Sequence, residues 1–254
     1  MLLDENKMLL DENEILEKWD SEGNHLFVVY ENSEAPKELQ KLNLLSGWGF
    51  SAAIKYNNKK ILFDCGWSNS IECNNLHALN IPNKFDYIII THMHWDHMGA
   101  LSAIVDENPD AVIYLPVDFS DHLTKELEKQ VKKVYRLSGK EGPVEILDKF
   151  YVTGDIKGFG SVGEQAVIFK ANNFNLLIVG CMHPSLKPLY RLASKALIPT
   201  AIIGGVHGFK DVDYLYKTKI KNLFLGHCTA HLELFQDLDG IQSQNIFPGF
   251  FLEL

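Results

Sequence analysis

Short apolar runs alternate with longer segments of mixed polarity along most of the chain, a pattern that predicts strands alternating with helices. The first part predicts strands at 25–30, 50–56 and 60–64. The last two are joined by Asn-Asn-Lys, a sequence typical of a hairpin turn. A helix is predicted at 70–81, and the apolar run at 87–91 predicts a buried strand.

The second half of the chain repeats this arrangement of hairpins and strand–helix units. We predict helices at 97–105, 121–135 and 211–220, and strands at 165–170, 175–180, 200–205 and 222–227. A meander followed by strand–helix units favours a layered α/β (α+β) class, in which sheet packs against sheet and helices lie outside.

The acidic residues are concentrated at the start of the chain. The first 40 positions hold eleven acidic residues and three lysines, which leaves 22 acidic against 21 basic residues in the remainder. The hexapeptide Met-Leu-Leu-Asp-Glu-Asn also occurs twice near the start. We therefore expect an acidic N-terminal segment at 1–24, to which no chemistry is assigned, and a single domain at 25–254.

Composition also limits the kinds of binding partner and the cellular compartment that we expect. There is no basic stripe, so nucleic-acid binding has little electrostatic support. No apolar run approaches the roughly 18 residues of a membrane helix, and the start lacks the positive charge of a signal peptide. Four cysteines do not form a dense disulfide framework, which favours a reducing cytoplasm.

Metal-binding residue types are concentrated directly after the apolar run at 87–91. His92, His94, Asp96 and His97 occupy four of six consecutive positions. His92 and His94 are two apart in extended backbone, so both imidazoles can face one ion, while Asp96 and His97 can reach a second. Imidazole and carboxylate together suit zinc, iron or manganese. The pattern predicts a metal site; the alternative is a run of surface or hydrogen-bonded core histidines.

Further candidate residues lie at the ends of other strands. His183, His207 and His227 each follow an apolar run and lie near a glycine, which allows close approach of the backbone. Strand ends at one edge of a sheet converge, so we expect these three to face one cleft. Asp64 is a candidate to fix the tautomer of a ligand histidine, with a turn-forming aspartate as the alternative. The other histidines have no such context: His25, His77, His122 and His231.

Two segments resemble known motifs. Ile-Leu-Phe-Asp-Cys-Gly at 61–66 is similar to the first motif of the metallo-β-lactamase superfamily, and Thr-His-Met-His-Trp-Asp-His at 91–97 resembles its second. The resemblance implies a four-layer αββα sandwich with a one- or two-metal site at one edge of the sheets. Longer segments are similar to one branch, that of 7,8-dihydropterin-6-methyl-4-(β-D-ribofuranosyl)aminobenzene-5′-phosphate synthase and metal-dependent hydrolases.

The resemblance also implies a ligand set. It assigns His92 and His94 to a first metal ion, and Asp96 and His97 to a second. His227 matches the late ligand of the second ion. Asp96 is also expected to orient the nucleophile. These roles come from the motif positions of the superfamily and not from the spacing alone.

The chain departs from the superfamily pattern at two places. Cys181 stands near the usual position of a bridging aspartate, and no histidine precedes the strand at 165–170, where Glu164 is the nearest candidate. We expect His183 to complete the first site, with the Cys181 thiolate as an alternative ligand. His207 has no counterpart in the general pattern and is expected to be a proton donor or a substrate contact.

Two divalent ions held in this way would supply a hydroxide nucleophile and polarise a carbonyl or phosphoryl oxygen. We therefore expect a metallo-hydrolase acting on an ester or phosphoester of a small anionic molecule, with Asp96 and His207 as catalytic residues. Zinc is the first choice, and iron or manganese are alternatives. Three other functions stay open: a pterin-pathway transferase, which rests on the branch resemblance alone, a di-iron redox or oxygen-sensing protein, and a binding protein with a degenerate site.

Overall fold

The computed structural model describes residues 10–158, 160 and 162–254. These residues form two compact units. The N-terminal unit comprises residues 10–114, 120–135 and 247–254, and the C-terminal unit comprises residues 115–119 and 136–246. Most of both units lies within the range 25–254, and the expectation that this range is one domain stays a prediction.

The helices, in chain order, are α1 (Glu12–Lys18), α2 (Asn69–Ala78), α3 (Trp95–Met98), α4 (Leu101–Glu107), α5 (Asp121–Glu128), α6 (Leu186–Ala193) and α7 (Val212–Leu215). The strands are β1 (His25–Tyr30), β2 (Ser51–Tyr56), β3 (Lys59–Phe63), β4 (Tyr87–Ile89), β5 (Val112–Pro116), β6 (Lys133–Leu137), β7 (Val144–Leu147), β8 (Phe150–Val152), β9 (Ile156–Lys157), β10 (Gly163–Glu164), β11 (Val167–Lys170), β12 (Asn175–Val179), β13 (Ala201–Gly204), β14 (Asn222–Leu225), β15 (Gln242–Asn245) and β16 (Phe251–Glu253).

A seven-stranded mixed sheet of order β16-β1-β2-β3-β4-β5-β6 organises the N-terminal unit. Strands β16, β1, β2 and β3 pair antiparallel, whereas β3, β4 and β5 are parallel. The predicted hairpin of β2 and β3 is confirmed, and Asn57 and Asn58 take the positive φ angles of a two-residue turn. Because β3 and β4 are parallel, the chain leaves both at the same edge, where Asp64 and His92 follow.

A second seven-stranded sheet, of order β15-β14-β13-β12-β11-β8-β7, organises the C-terminal unit. The predicted hairpin of β11 and β12 is confirmed, and β12, β13, β14 and β15 are parallel. The core beside this sheet is apolar and includes Leu177, Leu189, Ile202 and Leu223. The parallel register brings the ends of β12, β13 and β14 to one edge, as expected for the three strand-end histidines.

The helix predicted at 121–135 is only half correct. Helix α5 ends at Glu128, and Lys133–Leu137 forms the edge strand β6. The apolar spacing here fits both periods, so pairing within the sheet decides the outcome. Tyr135 stacks on Tyr114 of β5 with ring centroids 5.3 Å apart, a contact that the strand conformation provides.

The helix predicted at 211–220 is a single turn, α7, and Asp211 caps its start. The turn ends because the Thr218 hydroxyl donates to the Leu215 carbonyl while accepting from the Ile220 N–H, which directs the chain into β14. The helix predicted at 97–105 is interrupted at Gly99, where the backbone lies against the Trp67 carbonyl too closely for any Cβ.

The acidic segment is only partly described. Most of the hexapeptide repeat falls within residues 1–9, which lie outside the described residues. From residue 10 the chain forms α1, whose first turn carries a capping box between Asp11 and Glu14. In the part of the chain that the structure describes, no helix has both the length and the apolar character needed to cross a bilayer.

Candidate metal centre

The histidine-rich motif of the N-terminal unit lies on a strand–turn–helix segment. Strand β4 ends at Ile89, and His94 is the N-cap residue of α3. This short turn brings the imidazoles together: the His92 and His97 ring centroids are 4.2 Å apart, and His92 Nε2 lies 3.1 Å from His94 Nδ1. His92 and His97 are completely buried. The motif residues therefore form one compact donor group, as the sequence predicts.

Asp64 orders this group from the end of β3. Its buried carboxylate accepts hydrogen bonds from the Thr91 N–H, the Thr91 hydroxyl and His97 Nδ1, each at 2.7 Å. With the proton on Nδ1, the lone pair of His97 is on Nε2. The hydrogen bond expected of Asp64 is thus present, and its role beside a metal ion remains a proposal.

Thr91 fixes the tautomer of His92, as Asp64 fixes that of His97. Its hydroxyl has one proton, which it donates to Asp64, so it accepts from His92 Nδ1 at 2.9 Å. That arrangement places the lone pair of His92 on Nε2, the atom that faces His94. Two ring nitrogens at 3.1 Å repel each other unless a proton or a cation is shared between them.

Asp96 is held from a distant part of the chain. The indole N–H of Trp48 donates to Asp96 Oδ2 at 2.8 Å, and the same oxygen lies 3.9 Å from His97 Nε2. Gly49 makes this packing possible, because a Cβ there would lie 2.6 Å from the Asp96 carbonyl oxygen. The contact with Trp48 has no local sequence signal, and sequence reasoning missed it.

These donors fit a metal ion. With Zn–N bonds of 2.0–2.1 Å, two nitrogens on a tetrahedral zinc lie about 3.3 Å apart, close to the 3.1 Å between His92 Nε2 and His94 Nδ1. Asp96 Oδ2 and His97 Nε2 form a second pair of carboxylate and imidazole donors. The donor set suits zinc, and it suits iron or manganese as well.

In the C-terminal unit, Glu164 orders the loop that follows β12. Its buried carboxylate accepts from the backbone N–H groups of Cys181, Met182 and His183 at 2.7–2.9 Å, and from His183 Nδ1 at 2.7 Å. His183 therefore has its lone pair on Nε2. Glu164 orients a histidine, as Asp64 does in the other unit. Its position in the sequence suggests a ligand in place of the usual histidine, but its oxygens are engaged with these donors.

His207 and His227 lie at the same sheet edge as His183. The His183 and His207 ring centroids are 5.2 Å apart, and both line a cavity of about 340 Å³ with Met182, Val206 and Phe209. Burial, and to a smaller extent the neighbouring His183, lower the pKa of His207. His227 is buried in the loop that follows β14. The hydrogen bond from Ala230 N to His207 O joins this loop to the loop after β13, which carries His207.

The cysteines near these motifs differ in setting. Cys65 is completely buried, and this burial raises the pKa of its thiol, as expected for a small apolar residue. Cys181 is also buried, within the loop that Glu164 holds. Cys228 is half-buried, with Sγ 3.8 Å from the Cys181 carbonyl oxygen. The structure leaves the metal-binding role of Cys181 a prediction.

Several of these residues have unusual backbone conformations. Asp64, Met182, His207 and His227 have φ angles of 54°, 59°, 47° and 49°. Such angles cost a non-glycine residue roughly 1–3 kcal/mol, and they persist where the surrounding structure imposes them, often at functional sites. The strain coincides with the strand ends that carry the candidate donors and supports a functional role for both edges.

Comparison with known families agrees with this chemistry. A sequence profile of the metallo-β-lactamase superfamily matches residues 49–191. The chain belongs to the metallo-β-lactamase superfamily. The matched range includes both motifs from which the resemblance was inferred, together with the Glu164 and His183 pair.

Two relatives of this superfamily member come from Methanocaldococcus jannaschii. An uncharacterized protein is 26% identical over 221 residues, covering 72% of this chain and 84% of the relative. The synthase of 7,8-dihydropterin-6-methyl-4-(β-D-ribofuranosyl)-aminobenzene-5′-phosphate is 24% identical over 260 residues, covering 82% and 85%. A crystal structure of a metal-dependent hydrolase of the β-lactamase superfamily matches with a TM-score of 0.69 and 17% identity, covering 91% of this chain and 99% of the other. The family match and these structures confirm the predicted fold and superfamily, and the suspected branch is represented by a distant relative that carries the synthase name.

Proposed function

We propose that this chain is a metal-dependent hydrolase that cleaves an ester or phosphoester of a small anionic molecule. The observation that carries the proposal is the pair of buried carboxylate–histidine hydrogen bonds, Asp64 with His97 and Glu164 with His183. Each fixes the proton on Nδ1 and turns the Nε2 lone pair away from the carboxylate, which is the usual arrangement behind a metal-ligating histidine.

The proposed ligand set keeps the roles implied by the superfamily. His92, His94 and His183 are assigned to one ion, and Asp96, His97 and His227 to a second, with Cys181 as an alternative at the first. Zinc is proposed first, because tetrahedral nitrogen and oxygen donors suit it. Iron and manganese stay as alternatives, since availability often decides between metals that accept the same donors.

The metal ions would supply a hydroxide near neutral pH and polarise the substrate oxygen. Asp96, held in one orientation by the Trp48 indole, is proposed to orient the nucleophilic water. His207 lies beside His183 and the cavity, where its imidazole can donate a proton or a hydrogen bond to the leaving group. The low net charge outside the first 40 residues leaves a small molecule, and not a nucleic acid, as the proposed substrate.

The test is a double substitution in the motif. His92→Ala with His94→Ala should remove bound metal and abolish hydrolysis of bis(4-nitrophenyl) phosphate. A matched control is His77→Ala with His122→Ala, two exposed histidines of the same unit, which should keep both. Elemental analysis of protein purified with and without oxygen gives the metal. Retained metal and turnover in the motif variant would refute the proposal, and about two irons per chain would favour the redox alternative.

A second candidate is a transferase of the pterin-synthase type, favoured by the relative that is named as such a synthase. The same donors would then serve a reaction in which pyrophosphate leaves and an aminobenzene carbon or nitrogen attacks. Incubation with a dihydropterin pyrophosphate and an aminobenzene ribotide decides between the two. Coupled product supports the transferase, whereas simple hydrolysis of the pyrophosphate ester supports the hydrolase.

A further inference from the structure

Three of the four tryptophans of the chain are exposed, and all three lie beside the histidine-rich motif. Trp48, Trp67 and Trp95 have 58%, 55% and 69% of their surface exposed, whereas Trp19 is buried. Large aromatic side chains are usually well buried, and a cluster of exposed ones marks a binding surface more often than chance. We call Trp48, Trp67 and Trp95 the tryptophan rim.

The backbone fixes the three parts of the rim together. Phe50 N donates to the Asp96 carbonyl, Gly66 N donates to the Phe50 carbonyl, and Gly99 N donates to the Gly66 carbonyl, at 2.8–3.2 Å. A Cβ on Gly49 would lie 3.0 Å from Trp67 N. The three indoles therefore project from segments that are bonded to one another and to the metal-binding motif, and not from independent mobile loops.

The rim is also continuous with the candidate donors. Trp95 lies between His94 and Asp96 in the chain, and the Trp48 N–H is bonded to Asp96 Oδ2. The Trp48 N–H is engaged with the motif, and 58% of the residue is still exposed, so its apolar ring surface is what it offers to a ligand. A molecule whose reacting group is at the metal centre would place its next few atoms against these indoles.

We infer that the tryptophan rim is a stacking subsite for a planar aromatic ring attached to the anionic group on which the site acts. Flat aromatic rings stack on indole faces, and each such contact is worth a substantial part of the binding free energy. A second protein seated on the rim would cover the donors of the motif, so a small molecule that reaches them is the occupant that this arrangement fits. The inference rests on the proposed function, because it assumes that chemistry occurs at the motif.

The test compares two ligands that differ mainly in the aromaticity of their ring. Phenylphosphonate and cyclohexylphosphonate have the same ring size, and their P–C bonds resist hydrolysis. The titration is made at a pH above the second ionisation of both, where both are dianions. Cyclohexyl is at least as apolar as phenyl, so a preference for phenyl reports stacking and not general hydrophobicity. Calorimetric titration of the zinc-loaded protein should show phenylphosphonate binding about tenfold more tightly, the scale of one stacked ring.

Substitutions then show whether the tryptophan rim causes the preference for phenylphosphonate over cyclohexylphosphonate. Trp67→Leu and Trp95→Leu should each reduce the preference for phenyl several-fold and leave cyclohexylphosphonate binding nearly unchanged. Trp67→Phe and Trp95→Phe keep a flat ring and should retain most of it. Tyr216→Leu is the control, because Tyr216 is half-exposed and lies in the C-terminal unit. Metal content and circular dichroism confirm that each variant is folded and loaded.

Three results would overturn the inference. Equal binding of both phosphonates would remove the stacking subsite while leaving the proposed hydrolase intact, because metal content and turnover are measured separately. Binding of neither ligand would also overturn it, and the motif variant described above then decides whether the proposed function fails too. A change from dimer to monomer in the leucine variants, with the phenyl preference retained, would show that the rim is instead an interface between copies of the chain.

Discussion

Glu72 is a buried carboxyl group whose loss of a proton should destabilise the fold as pH rises through neutrality. It lies on α2 and is completely buried, and the Ser51 hydroxyl is bonded to its two oxygens at 2.8–2.9 Å. Burial raises the pKa of Glu72 to about 8, Ser51 opposes this, and Asp64 adds to it. The folded protein therefore holds a proton there that the unfolded chain releases.

The sign and size follow from linkage. Between its ordinary pKa of 4.5 and about 8, Glu72 binds more protons in the folded than in the unfolded state. The free energy of unfolding therefore falls as pH rises through this range, by about 1.4 kcal/mol per pH unit. The stabilising contribution is complete below pH 4.5 and is lost as pH approaches 8. From pH 5.5 to pH 8 the loss is about 3 kcal/mol.

Glu72→Gln removes the titrating group but keeps the shape of the side chain and its contact with Ser51. The glutamine side chain resembles the protonated carboxyl, and its amide can bond with the Ser51 hydroxyl. Urea unfolding with EDTA present at pH 5.5, 6.5, 7.5 and 8 gives the free energy of unfolding of both proteins. The wild type should lose about 3 kcal/mol more than the variant across this range. Parallel pH profiles for the two proteins would refute the reasoning.

Two further outcomes test the carboxylate–histidine pairs and the packing of the motif. Asp64→Asn and Glu164→Gln each remove the negative charge and replace one of two acceptor oxygens by an NH2 donor, although both oxygens accept hydrogen bonds in the wild type. Each should therefore weaken metal binding about 10- to 100-fold in a chelator competition; unchanged affinity in both would contradict an orienting role. Gly99→Ala forces a Cβ against a carbonyl oxygen and should lower the free energy of unfolding by about 1–3 kcal/mol. Gly208→Ala, whose Cβ would meet no atom within 4 Å, is the control and should be neutral.

The sequence predicts best those elements whose signal is local and unambiguous. The strand at 25–30 is a continuous apolar run, and all six residues of β1 are buried. The turn at Asn57 and Asn58 needs two positive φ angles, which asparagine tolerates. By contrast, the amphipathic pattern through residue 135 fits a helix as well as a strand, and only pairing at the sheet edge decides it. The short strand β10 has no local signal at all.

The candidate site also contains residues that the local sequence predicts and contacts that it does not predict. His92, His94, Asp96 and His97 are contiguous, so the motif alone predicts that they come together. Glu164 and His183 are 19 positions apart, and their hydrogen bond depends on the loop after β12. Trp48 and Asp96 are 48 positions apart, and their contact depends on close backbone packing at Gly49. No periodicity within one segment can reveal such pairs, because the partner belongs to a different segment.

The number of hydrogen-bond donors distinguishes three of the buried carboxyl groups of the described residues, Asp64, Glu164 and Glu72. Asp64 accepts at least three hydrogen bonds and Glu164 at least four, and each of the two thereby orients a histidine. Such donors replace the water that an ionised carboxylate loses on burial. Glu72 is bonded to a single hydroxyl, and burial therefore favours its protonated form. A neutral Glu72 lets Asp64, whose charge acts on it, serve as an ionised acceptor without a second buried negative charge beside the histidine motif.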